Sequence, residues 1–123
     1  MGRILLTRRF AKFSQNSQLD HQLLVKAVAD AGRGIVDANL KGCLIKIRIA
    51  RKNAGKSSGF RMIVAYQKGE RAVFRYGFGK NEKGNISKIE EKELEEYGAL
   101  LLGLKEDSID QLIAEGKLFE VAP

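Results

Sequence analysis

Cys43-Leu44-Ile45-Lys46-Ile47-Arg48-Ile49-Ala50, the loop Arg51-Lys52-Asn53-Ala54-Gly55-Lys56-Ser57-Ser58-Gly59, and Phe60-Arg61-Met62-Ile63-Val64-Ala65-Tyr66 form the stretch on which the fold turns. In the first part Cys43, Ile45, Ile47 and Ile49 alternate with Leu44, Lys46, Arg48 and Ala50, the period-two pattern of a half-buried strand. One face belongs to a core and the other presents Lys46 and Arg48. Phe60–Tyr66 reads as a second strand, Lys68-Gly69-Glu70 as a reversing turn, and Ala72 to about Phe78 as a third strand, so the middle of the chain is expected to be an antiparallel sheet. Simple alternation puts Phe74, Tyr76, Phe78 and Lys80 on one face of the third strand and Val73 and Arg75 on the other. Such an aromatic stripe is more often core than a base-stacking surface.

Outward from this sheet, Leu19, Leu23, Leu24, Ala27, Val28 and Ala31 share one helical face, and Gly32 and Gly34 end the helix. Phe10 and Phe13 suggest a short helix beside it, and Ile4–Leu6 an edge strand. On the C-terminal side Ser87 and Glu90 match a capping box, with Ile89, Tyr97, Leu101 and Leu104 as the expected apolar stripe behind Glu91, Glu93, Glu95 and Glu96. A second box, Ser108 and Gln111, is expected to start a terminal helix closed by Gly116. The predicted class is α+β: a small antiparallel sheet with N-terminal helices packed on one side, followed by C-terminal helices. We expect one domain over residues 1–123, with a core of about 10–104 and a short helical extension over 105–123.

Charge is segregated along the chain. Residues 41–80 hold eleven Lys and Arg against one carboxylate, Glu70, while the first forty residues carry net +3 and the last forty-three net −6. A cationic block repels itself unless an opposing partner is present, and nucleic-acid phosphate is the commonest such partner. The lone Cys43 excludes a disulfide framework and fits a reducing compartment. No window approaches the roughly 18 apolar residues of a membrane span, so the chain is expected to be cytoplasmic. His21 has no partner in the sequence for nucleophilic or metal chemistry, and neither a metal-ligand cluster nor a cofactor motif is present.

Gly55-Lys56-Ser57 nearly completes the phosphate-binding loop of nucleotide hydrolases, with Ala50 where the first glycine belongs. That loop works only if a helix follows at once, so that its N-terminal amides meet the phosphates. Here a strand follows, and no aspartate for magnesium lies between Asp37 and Asp107. The loop reads instead as a glycine-bearing cationic grip, Arg51, Lys52 and Lys56, on a polynucleotide backbone. Arg61, opening an apolar strand, reads as a guanidinium aimed into that site.

Two signatures in this order, Gly42 to Arg51 with Gly55-Lys56-Ser57-Ser58-Gly59-Phe60-Arg61, and Tyr76-Gly77-Phe78-Gly79-Lys80-Asn81-Glu82, make the chain resemble the RelE-type toxins of bacterial toxin–antitoxin pairs, and among them the HigB-like branch. The likeness covers roughly Phe10 to Leu104. It implies a metal-independent endoribonuclease that cuts messenger RNA on the ribosome, needs no cofactor, and is held in check by a helix-turn-helix antitoxin. Carried over by position, the functional cations are Lys46, Arg48, Arg51, Lys56, Arg61 and Lys80, with Lys52 in the same loop. Lys46, Arg48, Arg51 and Lys52 are then expected to bind RNA, and Lys56, Arg61, Lys80 and Tyr76 to be catalytic. Many relatives place a tyrosine base near the end of the last strand, whereas this chain reads Tyr76-Gly77-Phe78-Gly79, so Lys52, Lys56, Lys80 and Tyr76 all stand as candidates for proton transfer. Two other readings keep the cationic sheet without RNA cleavage: a ParE-type gyrase inhibitor on the same fold, and a non-catalytic RNA-binding module with exposed aromatics. For the acidic C-terminal third, the solvated face of an amphipathic helix competes with a helix that folds over the basic site.

Overall fold

The computed structural model describes residues 2–49, 59–79 and 85–121. In chain order these form β1 (Arg3–Thr7), α1 (Arg8–Asn16), α2 (His21–Gly32), β2 (Ala38–Asn39), β3 (Leu44–Ile49), β4 (Phe60–Gln67), β5 (Arg71–Gly79), α3 (Lys88–Gly103), α4 (Glu106–Ala114) and β6 (Leu118–Val121). The strands make one sheet in the order β2-β3-β4-β5-β1-β6. The expected α+β class holds, with helices on both faces of the sheet. No helix among the described residues is long and apolar enough to cross a membrane.

Ile4–Leu6 is not an edge strand. β1 lies inside the sheet, parallel to β5 with Leu6 opposite Phe74, and antiparallel to β6 with Leu6 opposite Phe119. Its residues from Ile4 to Thr7 are all buried, which is why it reads as an unbroken apolar run and not as an alternation. Thr7 ends the strand and starts α1, its hydroxyl accepting the Phe10 N–H at 3.3 Å. The segment after Leu104 supplies a strand, β6, as well as a helix.

Each face of the sheet has its own core. Phe10, Leu24, Val28, Ile45, Ile47, Met62, Val64 and Phe74 pack under α1 and α2. Leu5, Leu44, Ile63, Ala65, Val73, Phe78, Leu94, Leu101 and Ile109 pack under α3 and α4. Burial of both faces is what fixes strand register here, since a one-residue slip would exchange the two sets.

One such exchange is built in. β4 pairs with β5 so that Ile63 faces Tyr76 and Val64 faces Phe74, leaving Arg75 as the extra residue of a β-bulge. The simple alternation predicted for β5 therefore fails. Phe74 enters the α1/α2 core, while Tyr76 and Phe78 belong to the α3/α4 side. Arg75 turns to the α3 side too, its Nε donating to the Leu94 carbonyl at 3.4 Å and its guanidinium 4.7 Å from the Tyr97 ring centroid. Burial lowers the pKa of Arg75, a direction that nearby Arg9 reinforces and that Tyr97 and Glu93 oppose.

α3 begins at the expected capping box, with the Ser87 hydroxyl and the Glu90 carboxylate each taking a backbone N–H of the other. Its buried face is Leu94, Gly98 and Leu101; of the predicted stripe Leu101 is buried and Leu104 packs on the core, whereas Ile89 is 82% exposed and Tyr97 43% exposed. The reason is Gly98, where an added Cβ would sit 2.7 Å from that of Ala65. The helix settles on its smallest residue, and its outer turns are tied down by the Glu91 carboxylate, which accepts the Lys41 N–H at 2.8 Å. The second predicted capping box, Ser108 with Gln111, does not form. α4 starts earlier, after Lys105, which makes no side-chain cap, although Gly116 at φ +74° does close the helix.

Arg71 and Arg3 fasten the C-terminal elements. Arg71 is buried and its Nη1 donates to the carbonyls of Leu101, Leu102 and Leu104 at 2.7, 3.3 and 2.9 Å, which are acceptors left over at the end of α3. Its other amino group pairs with Glu106. Arg3 reaches Glu106, Asp110 and Glu120 at 3.3, 2.8 and 2.8 Å, joining β1 to α4 and β6.

Candidate functional site

In the antiparallel pairing of β3, β4 and β5, Arg48 lies opposite Arg61 and Arg61 opposite Phe78, while Lys46 lies opposite Ile63 and Ile63 opposite Tyr76. Ile63 and Phe78 belong to the core under α3, with Tyr76 packed against it, and alternation along β3 and β4 puts Lys46, Arg48 and Arg61 on that same side. The side chains thus stand in two adjacent rows on one face, Arg48–Arg61–Phe78 and Lys46–Ile63–Tyr76. Of the residues expected at the site, Lys46, Arg48, Arg61 and Tyr76 are brought together. Arg51, Lys52, Lys56 and Lys80 lie outside the described residues; at the Arg48–Arg61 end of the sheet Phe60 pairs with Ile49 on one side and Gly79 on the other. β4 starts at Phe60, so a strand and not a helix follows the glycine-lysine-serine loop, as the rejection of a nucleotide-hydrolase loop requires.

Arg61 is the most constrained of these groups. The residue is only 7% exposed, its Nη1 is buried with no hydrogen-bond partner among the described residues, and its Nε is 3.9 Å from Asp37 Oδ2. A buried donor left unmade costs about 1–3 kcal/mol. Like charges directly opposite on neighbouring strands are also unfavourable, and Arg48 is directly opposite. Burial immobilises the stem and holds the planar guanidinium in one orientation.

Asp37, which sequence reasoning did not single out, is the counter-charge of the site. Its N–H donates to the Lys46 carbonyl at 2.8 Å, and its carboxylate lies 3.6 Å from Lys46 Nζ as well as near Arg61. An isolated aspartate before a two-residue strand carries no motif, so only the pairing of β2 with β3 reveals it. Arg9 was missed for a similar reason. Its guanidinium lies 4.2 Å from the Tyr76 ring centroid, and with Tyr76, Glu90, Glu93 and Leu94 it borders a cleft of about 250 Å³ at the head of α3. Phe78 is buried, so it backs the cationic row and offers no stacking face.

α3 does not lie over Arg48 and Arg61. Gly98 sits on Ala65 and Leu44, and Leu101 leads to Arg71, so the helix covers the half of the face away from the cationic row. Its exposed carboxylates are mainly a solvated surface, with Glu90 and Glu93 near Tyr76.

Cations in two rows on a rigid sheet, one of them buried with a donor to spare, suit a polyanionic ligand with defined phosphate spacing. The fold is that of a small α+β toxin, and a family model described as RelE toxin of the RelE / RelB toxin-antitoxin system matches residues 2–121. The chain belongs to this family, and its partner is accordingly an antitoxin. No curated protein matches it.

Proposed function

We propose that this toxin is a ribosome-dependent endoribonuclease that cuts translated mRNA in the cytoplasm and so stops translation. The observation that carries the reading is the convergence of Lys46, Arg48, Arg61 and Tyr76 on one face, with the Arg61 fork buried and incompletely paired. Lys46 and Arg48, with Arg51 and Lys52 of the adjoining loop, hold the message by its phosphates. Cleavage without a metal aligns the 2′-hydroxyl opposite the 5′-oxygen. The hydroxyl proton goes to a base, the new O–P bond forms, and the 5′-oxygen leaves with a proton from an acid, giving a 2′,3′-cyclic phosphate.

Arg61 faces the charge that builds on the phosphorane oxygens, a role worth roughly 10²–10³ in rate for one well-aligned donor. Lys56 and Lys80 add charge and, with Tyr76 and Lys52, are the groups available for proton transfer. Ribosomal alignment of the substrate supplies the remaining orientation.

The test is to induce the chain in growing cells, with and without its antitoxin gene, while mapping 5′ ends of transcripts. In-frame cuts within translated regions that disappear with the antitoxin support the proposal. Growth arrest without new 5′ ends, and with gyrase-dependent DNA breaks, sinks it.

A further inference from the structure

A groove of about 730 Å³ lies between α1, the start of α2 and β6. We propose that this groove is the docking site of the antitoxin, occupied by an acidic segment that carries apolar anchors. The inference rests on membership of the toxin family and not on the cleavage chemistry. Leu6, Leu19 and Phe119 form the groove's apolar part, and Arg8, Arg9 and Lys12 its cationic rim; no carboxylate lines it. Phe119 is 42% exposed on β6, the last strand of the sheet, where the outer backbone groups face away from β1.

Arg9 also reaches the Tyr76 ring, but Arg8 and Lys12 stand where the fold gains nothing from their charge. Arg8 and Arg9 open α1, whose first turn contains no acidic residue, and cations at a helix N-terminus oppose the backbone dipole. Among the described residues neither Arg8 nor Lys12 has a carboxylate partner. Unfavourable charge held at the mouth of an apolar groove matches an occupant that brings carboxylates to the rim and aliphatic or aromatic side chains to the floor. A phosphate backbone satisfies only the rim. Leu6 and Leu19 belong with the α1/α2 core, on the side of the sheet opposite Arg48 and Arg61. The antitoxin can therefore dock while the cationic rows stay free of direct contact with this segment.

The experiment uses the full chain and the product of the adjacent antitoxin gene, both purified, with affinity read by calorimetry. The double variant Arg8→Glu with Lys12→Glu is expected to fold, because both residues are exposed, and to bind the antitoxin about 10- to 100-fold more weakly. Phe119→Ser is expected to weaken binding by a comparable factor. Thermal unfolding of each variant alone confirms that it is folded, and growth arrest should persist in cells in which the wild-type toxin is neutralised. Wild-type affinity in the folded double variant overturns the proposal. So does retained antitoxin binding with lost toxicity, which would make the groove a ribosome or RNA contact. Because binding is measured between purified proteins, an absence of mRNA cleavage would defeat the functional proposal and leave this result standing.

Discussion

Replacing Arg61 with methionine should move stability and activity in opposite directions. The native residue is 7% exposed with Nη1 unpaired among the described residues, and its contact with Asp37, 3.9 Å away, is at the limit of an ion pair. Methionine keeps an apolar stem of similar reach. It removes an unmade donor that costs about 1–3 kcal/mol and loses a partly exposed charge contact worth about 0–1 kcal/mol. It also relieves the repulsion across the strands from Arg48. The net expectation is a gain of roughly 1–2 kcal/mol, which for a domain of this size corresponds to a rise in Tm of about 3–10 °C. Cleavage should fall by about 100-fold or more, the usual consequence of deleting one aligned oxyanion donor. Thermal unfolding by circular dichroism reads the first effect, and transcript 5′-end mapping the second. A variant that unfolds several degrees lower would show that Arg61 is a structural clamp. A variant that still cleaves would remove it from the site.

Arg71→Ala strips a buried donor from the α3 carbonyls of Leu101, Leu102 and Leu104, so urea unfolding should show a loss of about 2–4 kcal/mol. Gly98→Val pushes α3 off Ala65 and should cost about 2–3 kcal/mol, the overpacking outweighing the few tenths gained in helix propensity; an unchanged midpoint would contradict the close contact. Glu106 is held below the usual carboxylate range by Arg71 first and by Arg3. A depressed folded-state pKa gives stability that is present above the ordinary glutamate value and lost as pH falls through the lower one. Tm should therefore drop on acidification below about pH 4.3, and Glu106→Gln should flatten part of that dependence.

The elements with strong local signals were readable in the sequence. The β3 alternation, the β4–β5 hairpin at Gly69 with φ +75°, the α2 face and the Ser87–Glu90 box all follow from periods and turn chemistry acting over a few residues. What escaped depends on distant partners. β1 looks like an edge until β6, only four residues long, is seen to flank it. The bulge at Arg75 has no sequence mark, yet it moves Phe74 away from Tyr76 and Phe78. That Gly98 shares the buried face of α3 with Leu94 and Leu101, while Ile89 and Tyr97 lie outside it, depends on the close contact with Ala65. For the site, strand alternation sufficed to put Lys46, Arg48 and Arg61 on one side, because that face is continuous from β3 to β4. Asp37 and Arg9 enter through tertiary contacts and had no signal of their own.

The central claim, that the two cationic rows receive a ribonucleotide strand, is tested most directly by amide chemical-shift mapping with a short mRNA oligonucleotide made uncleavable by a 2′-deoxy substitution. Perturbations should centre on residues 46–48, 61–63 and 76–78, weaken steeply as salt is raised and be lost in Arg48→Ala with Arg61→Met. Perturbations confined to α1, α2 and β6, or spread evenly over every basic surface, would contradict it.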